Sequence, residues 1–232
     1  ALDITAPTVI MFASGEKISY QKLVIATGST PMKPKWLQGA DLENVFVIPK
    51  DRNYLDDMKS KLGQSKNIAV IGAGFIGVEL SDELTKHGYK VTLIEKMPHI
   101  LSLAFDAEIA EKIHEILVAR GVNIIAGKGI SKVIGTTRVE AIELEDGQKL
   151  DMDAVVLSIG YKPSSELAKK SGIYVDEDNF IAVDEYMRTH ITDVFSVGDC
   201  AQKRDFVTRR RVPTMLASTA CAEARIAGMN LF

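Results

Sequence analysis

Residues 66–96, KNIAVIGAGFIGVELSDELTKHGYKVTLIEK, lead a short apolar run into three spaced glycines and then into an amphipathic segment, an order that few folds accept. Ile68, Ala69, Val70 and Ile71 carry no polar alternation, which predicts a parallel strand buried on both faces. Gly72, Gly74 and Gly77 hold the G-x-G-x-x-G positions. There the missing Cβ atoms permit a tight turn, close approach of a pyrophosphate, and close packing of helix on strand. The helix that follows aims free N–H groups and the positive end of its dipole at an anion. Leu80 and Leu84 face inward one turn apart, His87-Gly88 closes the helix, and residues 91–94 form a second strand ending in Glu95. An acid about 20 residues beyond the glycines is placed to accept a hydrogen bond from a ribose 2′-hydroxyl. The unit predicts a dinucleotide site, with a plain βαβ packing unit as the alternative.

The chain has 232 residues, enough for one or two domains with a real core. Its 28 basic and 31 acidic side chains leave a net charge of −3, which points away from nucleic acid and anionic membranes and towards a small-molecule partner. No apolar run approaches the roughly 20 residues that span a bilayer. The start, ALDITAPTV, lacks the basic and apolar regions of a signal peptide, so the expected location is cytoplasmic. Cys200 and Cys221 form no C-x-x-C pair and read as small packing residues, with redox thiols as the alternative. His87, His99, His114 and His190 are scattered without ligand spacing, and no metal site is expected.

Along the chain, residues 8–25 predict a β-ribbon turning at Ser14-Gly15-Glu16, and Thr27-Gly28-Ser29 ends its last strand. Residues 51–62 predict a helix through Leu55, Met58 and Leu62, stopped by Gly63. A second helix is expected over 106–120 with Ile109, Ile113, Ile116 and Leu117 on one face, then Gly121 and a strand at 122–125. Residues 129–150 alternate as an antiparallel meander, and 153–159 return to a buried strand. Beyond it come a short helix near 165–171, a ribbon over 172–189, a buried strand at 194–197 ending in Gly198-Asp199, and a final helix over about 214–230.

Four motifs stand in order: LVIATGSTP at 23–31, GAGFIGVE at 72–79, LSIGYKP at 157–163 and VFSVGDCA at 194–201. Together they resemble the FAD-dependent pyridine nucleotide-disulphide oxidoreductase family. The wording of GAGFIGVE and of LASTACAEARIAGMNL is similar to its NADH oxidase and coenzyme A-disulphide reductase branch. The resemblance implies a Rossmann-like NAD(H)-binding domain, a parallel sheet plus an antiparallel meander, over 46–161. This domain would be inserted into an incomplete FAD-binding Rossmann-like domain made of 1–45 and 162–232. It also implies FAD contacts at Ala26, Thr27 and Gly28, Asp199 on the ribityl chain, and Leu216, Ala217 and Ser218 beside the isoalloxazine. For Asp199 an ordinary Gly-Asp turn is the alternative. On the nicotinamide side it implies backbone contacts at Gly74, Phe75, Ile76 and Gly160, with Phe75 near the ring and Glu79 towards the flavin. Core packing for Phe75 and a solvated first-turn acid for Glu79 are the alternatives.

The chain departs from the family pattern in four features. The family's FAD-phosphate G-x-G-x-x-G, its redox cysteine and its C-terminal dimerisation domain have no counterpart in these residues, and an aromatic of the loop after Glu95 falls on Ala104, with Phe105 beside it. FAD retention by this chain is therefore expected to be weak or absent, with self-association through the incomplete sheet. The basic cluster Lys203, Arg204, Arg209, Arg210 and Arg211 reads as a solvated loop, with an anion contact as the alternative. The implied function is hydride transfer from NADH to FAD in an NADH oxidase-like flavoprotein. Its alternatives are a coenzyme A-disulphide or other disulphide reductase, and a nucleotide-binding module without turnover of its own.

Overall fold

The computed structural model describes residues 2–3, 9–11 and 13–231. The chain forms two compact units, one of residues 1–30 with 162–232 and the other of residues 31–161. Residues 31–45, which the sequence reading groups with the first segment, belong to the second unit, where Leu37, Ala40 and Leu42 join its core.

The first unit opens with β1 (Leu2–Asp3), β2 (Val9–Met11) and β3 (Lys17–Ser19), paired antiparallel in that order. The expected ribbon stops there. Strand β4 (Leu23–Ile25) leaves it and pairs in parallel with a strand whose first residue, Val194, lies opposite Leu23. The apolar LVI run finds its match in the fully buried VFS run rather than in the exposed strand next to it. β5 (Ser29–Pro31) then carries the chain across to the second unit.

In the second unit follow β6 (Val45–Val47), α1 (Arg52–Leu62), β7 (Asn67–Ile71), α2 (Phe75–Lys86), β8 (Lys90–Glu95), α3 (Ala107–Ala119) and β9 (Asn123–Ala126). The meander of β10 (Ile130–Ile134), β11 (Ala141–Leu144) and β12 (Lys149–Asp151) comes next, then β13 (Ala154–Leu157). The sheet order is β6-β13-β7-β8-β9, every pair parallel. Successive residues of β7 point to opposite faces: Ile68 and Val70 pack with Leu84, Leu93 and Leu117 under the helices, while Ala69 and Ile71 pack with Ile130, Ile142 and Leu144 of the meander. Both faces are covered, which is why the strand reads as continuously apolar.

Local chemistry fixes the ends. The Asp51 carboxylate accepts the Tyr54 N–H at 3.1 Å and caps α1. Gly63 closes α1 in the right-handed region, its N–H bonded to the Lys59 and Ser60 carbonyls. Asp153 accepts the N–H groups of Lys66 (2.7 Å) and Asn67 (2.8 Å), tying the start of β7 to the start of β13. Those backbone donors, Asn67 first, hold its carboxyl below the usual range. On α3 the inward stripe is Ala110, Ile113 and Leu117, whereas Ile109 and Ile116 stand 45% and 51% exposed. Four apolar positions there span more than the one face that packs.

The chain returns through β14 (Tyr161–Pro163), hydrogen-bonded to β5, into α4 (Glu166–Lys170), β15 (Val194–Ser196), a 3-10 turn at Gly198–Cys200, and α5 (Ala217–Asn230). The ribbon expected over 172–189 is a set of turns with isolated bridges such as Val175 to Ile181. Asp176 takes the N–H groups of Asp178 and Phe180, and Asp184 those of Tyr186 and Arg188, so side chains satisfy donors that a ladder would have used. Cys200 is buried, as a packing residue should be, but Cys221 is exposed on α5. Among the described residues no helix is long and apolar enough to cross a membrane.

Candidate functional site

Because all five strands of the second unit's main sheet run parallel, the C-terminal ends of β7, β8 and β13 come out at one edge of that sheet, where the chain order reverses between β7 and β13. Such an edge is where open α/β sheets bind ligands. The residues leaving these three strands are Gly72, Glu95 and Ser158.

Gly72 turns with φ +97°, and a Cβ there would meet the Ser158 carbonyl oxygen at 2.7 Å. Gly77 has no room at all, since a Cβ would overlap the Gly72 carbonyl. Gly74 is the opposite case. Its backbone is extended and nothing lies within 4 Å of the Cβ position, so the space over the turn is open to a ligand. Gly74 also begins α2 without any side-chain cap, leaving the first-turn N–H groups of Phe75, Ile76 and Gly77 to serve an outside acceptor.

Glu95 closes the turn from the neighbouring strand. One carboxylate oxygen accepts the Ala73 N–H at 2.6 Å and the other the Met97 N–H at 2.8 Å, while further lone pairs remain for hydroxyl donors. Ser158 was missed in the sequence reading, although it lies inside the LSIG motif. Its hydroxyl donates to the carbonyls of Ile71 (3.0 Å) and Gly72 (2.7 Å), locking the glycine turn to the end of β13. Gly160, two residues on, takes φ +110°, and its carbonyl accepts the Met32 N–H at 2.9 Å.

Phe75 is half exposed and meets Phe105 edge-on, with ring centroids 5.9 Å apart and planes at 81°. Core packing is therefore not its role. Phe105 supplies an aromatic ring to the loop after Glu95, one residue beyond Ala104. Glu79 is exposed one turn into α2.

The other group of expected residues lies in the first unit. The Thr27 hydroxyl donates to the Ser164 carbonyl at 2.6 Å, and the Gly28 carbonyl, at a residue with φ +68°, accepts the Ser164 N–H. Asp199 is buried at the end of β15 and accepts the Ser29 hydroxyl at 2.7 Å. The turn that carries it is held by an ion pair whose lysine, within the basic run, was expected in a solvated loop. Lys203 is 7% exposed, and its Nζ donates to the carbonyls of Gly198 (2.6 Å) and Ala201 (2.9 Å) and lies 3.4 Å from Glu223 Oε1. Glu223, buried on α5, accepts the Gly198 N–H at 2.7 Å. Of the remaining basic cluster, Arg211 reaches Glu177 and Arg209 lies over the Phe206 ring. Leu216, Ala217 and Ser218 are exposed at the start of α5.

The structure thus gathers Gly72, Gly74, Phe75, Ile76, Gly77, Glu79, Glu95 and Gly160 in one unit, and Ala26, Thr27, Gly28, Asp199, Leu216, Ala217 and Ser218 in the other.

Known proteins with this arrangement are nucleotide-dependent oxidoreductases. An NADH oxidase of Methanocaldococcus jannaschii is 32% identical over 220 residues, covering 93% of this chain and 48% of the relative. A NAD-dependent persulfide reductase from A. fulgidus superposes with a TM-score of 0.92 at 30% identity over 99% of this chain and 43% of its own. The water-forming NADH oxidase from Lactobacillus brevis, solved bound to NADH, superposes with a TM-score of 0.88 at 28% identity over 100% of this chain and 51% of its own. The chain spans about half the length of the curated relatives it matches. The sequence profile of pyridine nucleotide-disulphide oxidoreductases matches residues 2–224, and the chain belongs to that family.

Proposed function

We propose that residues 31–161 bind NAD(H) and that the chain is the nucleotide-handling part of an NADH-dependent flavoprotein oxidoreductase. The observation that carries this reading is the open Gly74 cradle at the uncapped end of α2, with the Glu95 carboxylate bonded to the same turn. The donor set suits a dinucleotide: backbone N–H groups of Gly74, Phe75 and Ile76 for the pyrophosphate, and Glu95 for the adenosine ribose hydroxyls. Phe75 would lie at the nicotinamide, Gly160 would offer its backbone to it, and Glu79 would face the flavin. In the first unit, the buried Asp199 carboxylate, bonded to Ser29 on a turn held by the Lys203–Glu223 pair, suits a hydroxyl-rich chain such as the ribityl of FAD. Ala26, Thr27, Gly28 and the 216–218 segment would line the rest. FAD, when bound, supplies the ring that accepts a hydride. The protein's part is to hold the donor and exclude water.

Glu95 favours NADH over NADPH, since a 2′-phosphate about 4 Å from a carboxylate meets a repulsion of about 4 kcal/mol at an effective dielectric near 20, before screening. Calorimetric titration of the chain with each nucleotide tests the reading. Micromolar NADH binding with at least about tenfold weaker NADPH binding is expected. No NADH binding at millimolar concentration would remove it. The persulfide reductase neighbour favours reduction of a sulfur acceptor as the second reading for the whole protein.

A further inference from the structure

Two lysines flank the end of β8, and each is paired with an acid. Lys96 follows Glu95 directly, yet its Nζ donates to Glu145 Oε1 at 2.8 Å. Lys128, whose N–H donates to the Glu95 carbonyl at 3.1 Å, has its Nζ 2.6 Å from Asp146 Oδ2. The two acids are neighbours in the turn that joins β11 to β12, so one hairpin tip takes up both cations beside the expected ribose site.

This tip is held in place by its own backbone. The Glu145 N–H donates to the Gly129 carbonyl at 2.9 Å, and the Glu145 carboxylate lies so close to Gly129 that a Cβ there would fall 2.7 Å from its Cδ. The absence of a side chain at Gly129 makes room for the carboxylate. Asp146 Oδ1 accepts the Gln148 N–H at 3.0 Å, and Gly147 completes the turn at φ +85°. Lys96 beside Glu145 and Lys128 beside Asp146 hold both carboxyls below their usual range, so both acids are charged at neutral pH.

A lysine or arginine just past the acid that ends the second strand is the kind of group that meets a 2′-phosphate. Lys96 occupies that position but is committed elsewhere. We propose that Glu145 and Asp146 set the nucleotide selectivity of the site from a distance, by drawing Lys96 and Lys128 away from the 2′-position and leaving Glu95 the dominant charge there. The proposal rests on the NAD(H) reading of this unit. It makes Glu145 and Asp146 positioning residues that act through the lysines and touch no ligand.

The test is calorimetric titration of the full chain with NADH and NADPH at low ionic strength, for wild type, E145Q, D146N and the E145Q/D146N pair, with circular dichroism as a check on folding. Each exposed ion pair released should raise NADPH affinity relative to NADH by about threefold, and the pair by about tenfold. Adding K96M to E145Q should cancel the E145Q gain. An unchanged NADPH to NADH ratio with NADH binding intact would overturn the proposal while leaving the NAD(H) reading standing. So would a gain that survives K96M. Failure of the wild type to bind either nucleotide would overturn both.

Discussion

The Glu95 carboxylate accepts the N–H of Ala73, 22 residues earlier in the chain, at 2.6 Å. The acid that ends β8 is therefore also a brace for the glycine turn that ends β7. The ribose contact proposed for it and its structural role share one side chain, with Met97 N–H on the second oxygen. Replacing Glu95 by Gln turns one of these acceptors into a donor that faces a backbone N–H. A loss of about 1–3 kcal/mol in unfolding free energy by urea titration is expected, together with weaker NADH binding. Unchanged stability would show that the two contacts are replaced by water at no cost.

Gly74 and Gly77 separate ligand effects from folding effects. Gly74→Val places its side chain in open space on an extended backbone, so the thermal midpoint should stay within a few degrees while NADH affinity falls at least about tenfold. Gly77→Ala drives a methyl into the Gly72 carbonyl and should cost about 3 kcal/mol of stability. Equal NADH affinity in the Gly74→Val chain would place the phosphates elsewhere.

Lys203→Met leaves Glu223 buried without its cation and strips donors from the Gly198 and Ala201 carbonyls. Removal of one member of a buried pair costs about 3–5 kcal/mol. Adding Glu223→Leu should recover only part of this, because the Gly198 N–H then loses its acceptor. Denaturant midpoints of the two single variants and the double variant form the cycle, and strict additivity would mean that the two side chains act independently.

Asp153 gives a pH signature. Its folded pKa is depressed by the Asn67 and Lys66 N–H groups, so its contribution is present above the unfolded value of about 3.9 and is lost as pH falls through the lower folded value. Asp153→Asn should therefore be less stable than wild type at pH 7 by about 1–2 kcal/mol, with the gap narrowing as pH drops below about 4. A gap that is constant with pH would point to shape rather than charge.

How far the sequence could be read depended on how local the determining contacts are. The β7 to β8 unit was legible because its signals lie within thirty residues and each glycine has a separate steric reason. The parallel partner of β4 was not, since Leu23 meets Val194 across 171 residues and nothing near Leu23 announces it. Lys203 misled because a basic run reads as solvated. Its partner Glu223 sits twenty residues on, among small residues of α5, where an acid could have been questioned for facing inward. Ile109 and Ile116 misled in the opposite sense, since periodicity counts apolar residues and cannot tell which of them find a neighbour. Ser158 carried no pattern of its own, as its value comes from two carbonyls on another strand.

The hydrogen bond from the Met32 N–H to the Gly160 carbonyl brings together the two ends of the unit that spans 31–161, one residue in from each terminus. An insert whose ends touch asks its host for only a gap of one strand spacing, and the host's own loop-closure entropy is almost unaffected by the 131 residues between. Residues 31–161 thus have the connectivity of an insert. Residues 31–161 made alone should fold with the sheet intact, and joining residues 30 and 162 through a two- or three-residue turn should leave the remaining unit continuous.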